Sequence, residues 1–458
     1  MRKLTQLLVL PLILMAMYSC QPVVKKIAVQ SAQIGLANHP EWSKNAVMYE
    51  VNVRQFTPEG TFKAFETHLP RLKEMGVDIL WFMPIHPISE KNRKGGLGSY
   101  YSVKDFKGIN PEFGTIDDFK TLVNNAHDMG FKVIIDWVGN HTGWDNQWIV
   151  DHTDWYTKDS LGNVIPPVAD WSDVADLNYE SQGIRAAMLD ALKYWVKDVN
   201  IDGYRCDYAG GVPTDFWETA RMSLDSIKPV YMLAENQDQM DLLNKAFNSN
   251  YGWSFHHLMN EIAQGKKTAQ YLDSSLVKTE ISYPVGTYAL QFTSNHDENS
   301  WNGTEYERLG DAVKSMAVLS FTVPGMPLIY TGQEAGLNRR LLFFEKDEID
   351  WSNLEMQQFY QKLIQLKKEQ PALWNGVAGG SLSIVETTQP DKILAFTREK
   401  DNNQVLAIFN LSAQPVDAII QLDQAGDYKE YFSGEIKKLK KGTTVKLDKW
   451  DYQVFVRK

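Results

Sequence analysis

The chain has 458 residues, of which 43% are hydrophobic and 23% charged. That composition excludes disorder and allows one large domain with one or two smaller ones. A formal net charge of −10 without a basic run argues against nucleic acid as a partner. Cysteine occurs only at positions 20 and 206, and no Cys/His cluster has zinc spacing.

In chain order, the first element is a targeting segment. Arg2 and Lys3 precede an apolar stretch from Leu4 to Met17, too short and too proline-marked for a comfortable membrane span. Residues 1–19 are therefore expected to be a signal peptide of an exported protein. Ser19-Cys20 resembles the end of a bacterial lipoprotein signal, which would leave Cys20 lipidated and the protein anchored to a membrane; plain secretion is the alternative. A lipidated Cys20 leaves Cys206 no partner for an internal disulfide. Residues 20–40 read as a tether.

A helix–glycine–strand unit then recurs. Leu72–Leu80 and Ala126–Ile134 share the pattern of a helix end, a glycine in the left-handed cap position (Gly76, Gly130) and an apolar strand. Asn200 makes a similar cap before Ile201. Thr115 and Asp118 fit a capping box opening a helix whose apolar face is Ile116, Phe119, Leu122, Val123 and Ala126. Seven strands are predicted, at 46–53, 77–83, 131–138, 201–207, 230–235, 288–293 and 326–330, with a weaker eighth near 251–255. Uniformly apolar strands alternating with helices imply a buried parallel sheet, and this number fits an α/β, (β/α)8 TIM barrel. A doubly wound open sheet would normally bring a glycine-rich loop after its first strand, and Val53-Arg-Gln-Phe56 is not one.

The barrel is expected over 41–139 and 183–372. Residues 140–182, irregular and holding Trp144, Trp148, Trp155 and Trp171, form an inserted subdomain after the third strand. Most of these tryptophans are assigned to its core. After Pro371 short alternating runs begin. Ile393–Arg398 and Gln404–Phe409 flank Asp401-Asn-Asn403 as a hairpin, and residues 373–458 are predicted to form an all-β sandwich domain.

Four apolar runs end in an acid: Asp136, Asp207, Glu235 and Asp297. A buried strand gains nothing from a terminal carboxylate, but parallel barrel strands gather their C-terminal ends where catalytic groups sit. Side chains alternate, so Arg205 shares a face with Asp207 and would hold it ionised, as a nucleophile requires. Glu235 follows an apolar approach with no cation near it in sequence, which would keep its proton available. Asp297, between His296 and the start of the next segment, is a third acid. Two carboxyls with opposed protonation needs and a third to stabilise positive charge describe glycoside hydrolysis.

These segments are the ones that make the chain recognisable. Asp136–His141, Gly203–Asp207, Leu233–Glu235 and Ser294–Asp297, with Gly76–Pro84, Asp176–Asn178 and Gly325–Gly332, occur in the order of the motifs of the α-amylase family of glycoside hydrolases (family thirteen), which the chain resembles from about Val47 to Leu373. The resemblance implies Asp207 as nucleophile, Glu235 as acid and then base, and Asp297 as transition-state stabiliser. It implies Arg205, His141, His296 and Tyr101 as contacts to the sugar at the cleavage point, with Tyr100 competing for the tyrosine's place. Asp136 is assigned to support the loop carrying His141. Asn140 and Asp176 are expected calcium ligands; no organic cofactor is implied. Ala209 and Gly210 depart from a Lys-His pair that many members carry just after the nucleophile.

The implied function is retaining hydrolysis of α-1,4-glucosidic bonds in starch-like α-glucans or maltodextrins. The same site would serve an exo-acting α-glucosidase, a neopullulanase-like enzyme, a transglycosylase or an isomerase. A non-catalytic glycan-binding lipoprotein would be expected to lack at least one of the three acids, and all are present.

Overall fold

The recurring helix–glycine–strand unit is the unit of the fold. The structure, a computed structural model, describes residues 37–458. The signal peptide, Cys20 and most of the tether lie outside the described residues. Gly76 (φ 99°), Gly130 (φ 84°) and Asn200 (φ 67°) all adopt the left-handed conformation that ends a helix and redirects the chain into a strand. The capping box forms as the sequence predicts. Thr115 accepts from the Asp118 N–H at 3.2 Å, and Asp118 accepts from the Thr115 N–H at 2.9 Å. It opens helix Ile116–Asp128, which buries Phe119, Leu122, Val123 and Ala126.

Eight parallel strands close into a barrel in chain order. They are β1 (Met48–Val51), β2 (Ile79–Phe82), β3 (Lys132–Val138), β4 (Gly203–Asp207), β5 (Tyr231–Ala234), β6 (Ser249–Tyr251), β7 (Tyr288–Gln291) and β8 (Met326–Tyr330). Pairing of Met48 with both Leu328 and Ile79 closes the ring. The eighth expected strand is corrected in place: β6 lies at 249–251, and Trp253–Ala263 is helical. Tyr251-Gly-Trp-Ser-Phe255 has poor strand character, and of it only Tyr251 belongs to the strand. Helical spacing of Phe255, Leu258, Met259 and Ile262 prevails, because that face is the one buried.

The barrel interior is filled from below by Met48, Ile79, Ile134, Leu233, Leu290, Met326 and Leu328, in one apolar cluster. Inward positions recur every second residue, so the next layer toward the C-terminal ends comes from the same strands. There Glu50 follows Met48, Asp136 follows Ile134 and Arg205 follows Gly203. Gly203 is required by close approach of backbones: a Cβ there would lie 1.9 Å from the Tyr231 carbonyl oxygen of β5.

Between β3 and β4, an antiparallel ribbon of His141–Gly143 and Val174–Asp176 frames the inserted segment. Trp148 packs on Phe106 and Trp155, Trp155 stacks on His152, and the Trp144 indole donates to the Ser172 carbonyl. Only Trp171 turns toward the barrel mouth.

The C-terminal strands are β9 (Ser381–Ile384), β10 (Ile393–Lys400), β11 (Asn403–Asn410), β12 (Val416–Ile420), β13 (Gly426–Glu430), β14 (Ile436–Leu439), β15 (Thr443–Leu447) and β16 (Tyr452–Arg457). They form a six-stranded sheet, β9-β10-β11-β16-β13-β14, faced by the pair β12-β15. Leu394, Phe396, Val405, Ala407 and Phe409 join the core cluster that runs into the barrel, while Ile393, Ala395, Leu406 and Ile408 face β12 and β15. Both faces of β10 and β11 are buried, so their runs read as continuously apolar. Arg398 pins the sheet to the barrel, its Nη1 donating to the Thr322 carbonyl at 3.1 Å. Among the described residues no helix is long and apolar enough to cross a membrane.

Candidate active site

Five carboxyl groups gather around two cations at the C-terminal end of the barrel. Arg205, fully buried on β4, is the hub. Its Nη1 donates at 2.9 Å to Asp136 Oδ1 and at 2.9 Å to Asp207 Oδ1, and its Nε donates at 3.1 Å to the Tyr251 hydroxyl. Its Nη2 lies 2.9 Å from Glu235 Oε2. That last contact is close without being aligned as a hydrogen bond. The guanidinium also sits over the rings of Trp81 and Tyr251, at 5.2 and 5.5 Å.

The expectation that Glu235 stands far from any cation is therefore corrected. Arg205 reaches it across the gap between β4 and β5, a neighbour relation that no local sequence window contains. What separates the two acids is alignment. Burial, together with the Asp297 charge, raises the pKa of Asp207; a well-directed, charge-assisted bond from Arg205 and a further one from the Glu235 carboxyl oppose this. Glu235 is raised chiefly by burial and also by Asp207; Arg205 and the Tyr208 N–H, 2.9 Å from its Oε2, oppose this. Both acids are raised by burial, and the aligned Arg205 bond favours Asp207 over Glu235 as the anion.

Exposure sorts the acids further. The side chains of Asp207, Glu235 and Asp297 are 13%, 19% and 36% exposed, whereas Asp136 is fully enclosed. Only the first three are open to a ligand. Asp136 accepts from Arg205, from the Tyr101 hydroxyl at 3.1 Å and from the Trp81 indole at 3.3 Å. It thus orients Arg205 and Tyr101, a structural role for this acid.

The second cation is His296. Burial alone would lower its pKa, but Asp297 and Glu50 outweigh burial and raise it to about 9. Its Nδ1 is 2.5 Å from Glu50 Oε1, and its Nε2 is 2.7 Å from the Tyr101 hydroxyl and 3.4 Å from Asp297. Tyr101 is fixed at the mouth by this bond and by Asp136. Tyr100 instead is buried, donates to Asn52 at 3.1 Å and lies under Arg54, so it belongs to the packing. Glu50 was not among the acids singled out, because it sits inside β1 and not at a strand end. An acid within the apolar run Ala46–Val53 was nevertheless a signal, since a buried carboxylate requires a partner. Tyr251 was missed because its strand was misplaced.

His141 is buried at the rim, edge-on to Trp171 at 5.7 Å, and burial lowers its pKa to about 4, so it is a neutral ring at pH 7. Asn140 and Asp176 come together, Asn140 Nδ2 lying 3.5 Å from Asp176 Oδ1. The Asn140 carbonyl already accepts from the Leu177 N–H. Calcium takes six to eight oxygens. Among the described residues no group of three or more His, Cys, Asp or Glu converges at this point. Two donors that satisfy each other do not make that set, and no step below is routed through a metal.

Comparison with known proteins bears on the family and the fold. The family described as the alpha amylase catalytic domain matches residues 37–162 and 168–410, and that of the maltogenic amylase C-terminal domain matches 382–454. A solved maltogenic alpha-amylase from Thermotoga neapolitana superimposes with a TM-score of 0.83 at 28% identity, over 91% of this chain and 99% of that one. An alpha-amylase from Lactobacillus plantarum gives 0.81 at 30% identity, over 91% and 100%. An alpha-amylase of Haloarcula japonica is 27% identical over 415 residues; the match spans 87% of this chain and 60% of that longer protein.

Proposed function

The chain belongs to the α-amylase family of glycoside hydrolases, and from that premise we propose that it cleaves α-1,4-glucosidic bonds of maltodextrins or starch-like glucans with retention, through a glycosyl-enzyme on Asp207. The observation that carries this reading is the Arg205 guanidinium with Asp207 on one nitrogen and Glu235 on the other. Two carboxyls held by one small planar group suit the short separation of a covalent, retaining mechanism.

Asp207, kept ionised by Arg205, attacks the anomeric carbon while Glu235 gives its proton to the departing oxygen. Glu235, now a base, takes a proton from the water that opens the glycosyl-enzyme. Positive charge builds on the sugar ring in both transition states, and Asp297 stands beside it. His296 is bound to Glu50 behind it and orients both Asp297 and Tyr101. His141, neutral, stands at the rim beside the sugar, while Arg205, expected from the sequence to touch it, is fully enclosed and acts through Asp207 and Glu235.

A second outcome on the same site has its own support. The match of residues 382–454 to a maltogenic amylase C-terminal domain, and the likeness to a maltogenic alpha-amylase, favour short, defined products over random cuts. Chromatography of early products from maltoheptaose tests both. Mixed oligosaccharides support internal cleavage, maltose or glucose from the start supports the second outcome, and no product at all overturns the hydrolase reading.

The segment 1–36 supports a location. We propose export and anchoring through a lipid on Cys20. Cys20→Ala then moves the protein from the membrane fraction to the soluble one; an unchanged distribution refutes the anchor.

A further inference from the structure

Tyr208, the residue after the proposed nucleophile, is exceptional in three respects. Its backbone is left-handed, with φ of 41°, in a residue type that rarely adopts it. The residue is 42% exposed, directly after a strand that is buried up to Asp207. Its ring is nonetheless held in place. Trp171, from the inserted segment, meets it edge-on at 5.4 Å, and Gly211 lies so close beneath it that a Cβ there would stand 2.5 Å from the ring. The turn Tyr208–Val212 therefore needs its second glycine to seat this ring. Ala209 and Gly210 place no charged side chain beside it.

The position of Tyr208 relative to the cleaved bond follows from Glu235. The Tyr208 N–H binds the carboxyl that gives its proton to the departing oxygen. Tyr101, His296, Asp297 and Glu50 are bonded to one another, and none of these bonds involves Tyr208. Tyr208 thus stands on the leaving-group side. An exposed aromatic face, rigidly backed and free of charge, fits the apolar face of a pyranose ring.

We propose that Tyr208, backed by Trp171 and Gly211, is the platform on which the departing glucose unit stacks, and on which an incoming sugar acceptor stacks in the reverse step. This rests on the hydrolase reading above.

The test compares two substrates. Maltoheptaose places a sugar on the leaving side, whereas α-maltosyl fluoride places only a fluoride there. Tyr208→Asn keeps a residue that tolerates positive φ but removes the ring, and Tyr208→Phe keeps the ring. For Tyr208→Asn we expect kcat/KM on maltoheptaose to fall about tenfold, mainly through KM, with α-maltosyl fluoride turned over as by the wild type. Tyr208→Phe should restore maltoheptaose cleavage, and the pH profile of all three proteins should coincide. An equal loss on both substrates, no loss on either, a failure of Phe to rescue, or a displaced pH profile that traces the loss to Glu235 would each overturn the proposal. If the wild type cleaves neither substrate, it is the hydrolase reading that fails.

Discussion

The two ends of the barrel interior are built by the same strands and obey opposite rules. At the floor, Met48, Ile134, Leu233, Leu290 and Leu328 pack in one apolar cluster. Two residues further along, at the mouth, Glu50, Asp136, Arg205 and Glu235 are packed at hydrogen-bonding distance. The floor gains stability from each methylene it buries. The mouth gathers five carboxyls round two cations, an arrangement whose desolvation penalty offsets much of its attraction. Stability and chemistry are therefore separable along one strand, within the rise of two residues.

The separation can be broken from either end. The largest effect belongs to Asp207→Asn, for which we expect maltoheptaose turnover to fall by about 10⁴-fold or more. Thermal unfolding followed by circular dichroism should show a melting temperature no lower than wild type, since one of several crowded acids is neutralised. A large drop in melting temperature would show that mouth and floor are not independent. Glu235→Gln should reduce kcat/KM for maltoheptaose by about 10³-fold, but kcat/KM for α-maltosyl fluoride, which reports only glycosyl transfer from a leaving group that needs no proton, much less. Equal losses on both substrates would remove Glu235 from the acid role.

From the other end, Leu290→Ala should destabilise the fold by about 2–5 kcal/mol in urea unfolding, with kcat at 25 °C close to wild type. A comparable fall in kcat would mean that the floor positions the acids directly. The smallest effect is a pH limb. His296 has a pKa raised to about 9 from 6.5, so its cation stabilises the mouth fully below pH 6.5 and that contribution is lost as pH rises through about 9. Activity should decline above pH 9, about tenfold per unit, and His296→Gln should lower activity at pH 7 and abolish this limb. An alkaline limb unchanged in the variant would assign it to another group.

How much of this was legible beforehand depends on how local each signal is. The capping box at Thr115, the glycine caps at 76 and 130 and the hairpin at Asp401 are short-range, and their physics is complete within a few residues. The acids at 136, 207 and 235 were visible because each closes an apolar run, which is itself a local feature. Glu50 was passed over because it lies within a strand, and its partner His296 is 246 residues away. β6 was displaced because three residues of strand cannot be told from the start of a helix until the buried face is known. The contact between Arg205 and Glu235 joins neighbouring strands through a register that only the closed sheet defines.

The sequence by itself determined the repeating unit, the barrel class and the identities of the acids, because strand period, caps and terminal carboxylates are written residue by residue. Only the tertiary structure decided which acid holds the charge, which is sealed from substrate and which ring stands beside the leaving group. Protonation and exposure depend on desolvation and on distances between strands, and those exist only once the barrel is closed.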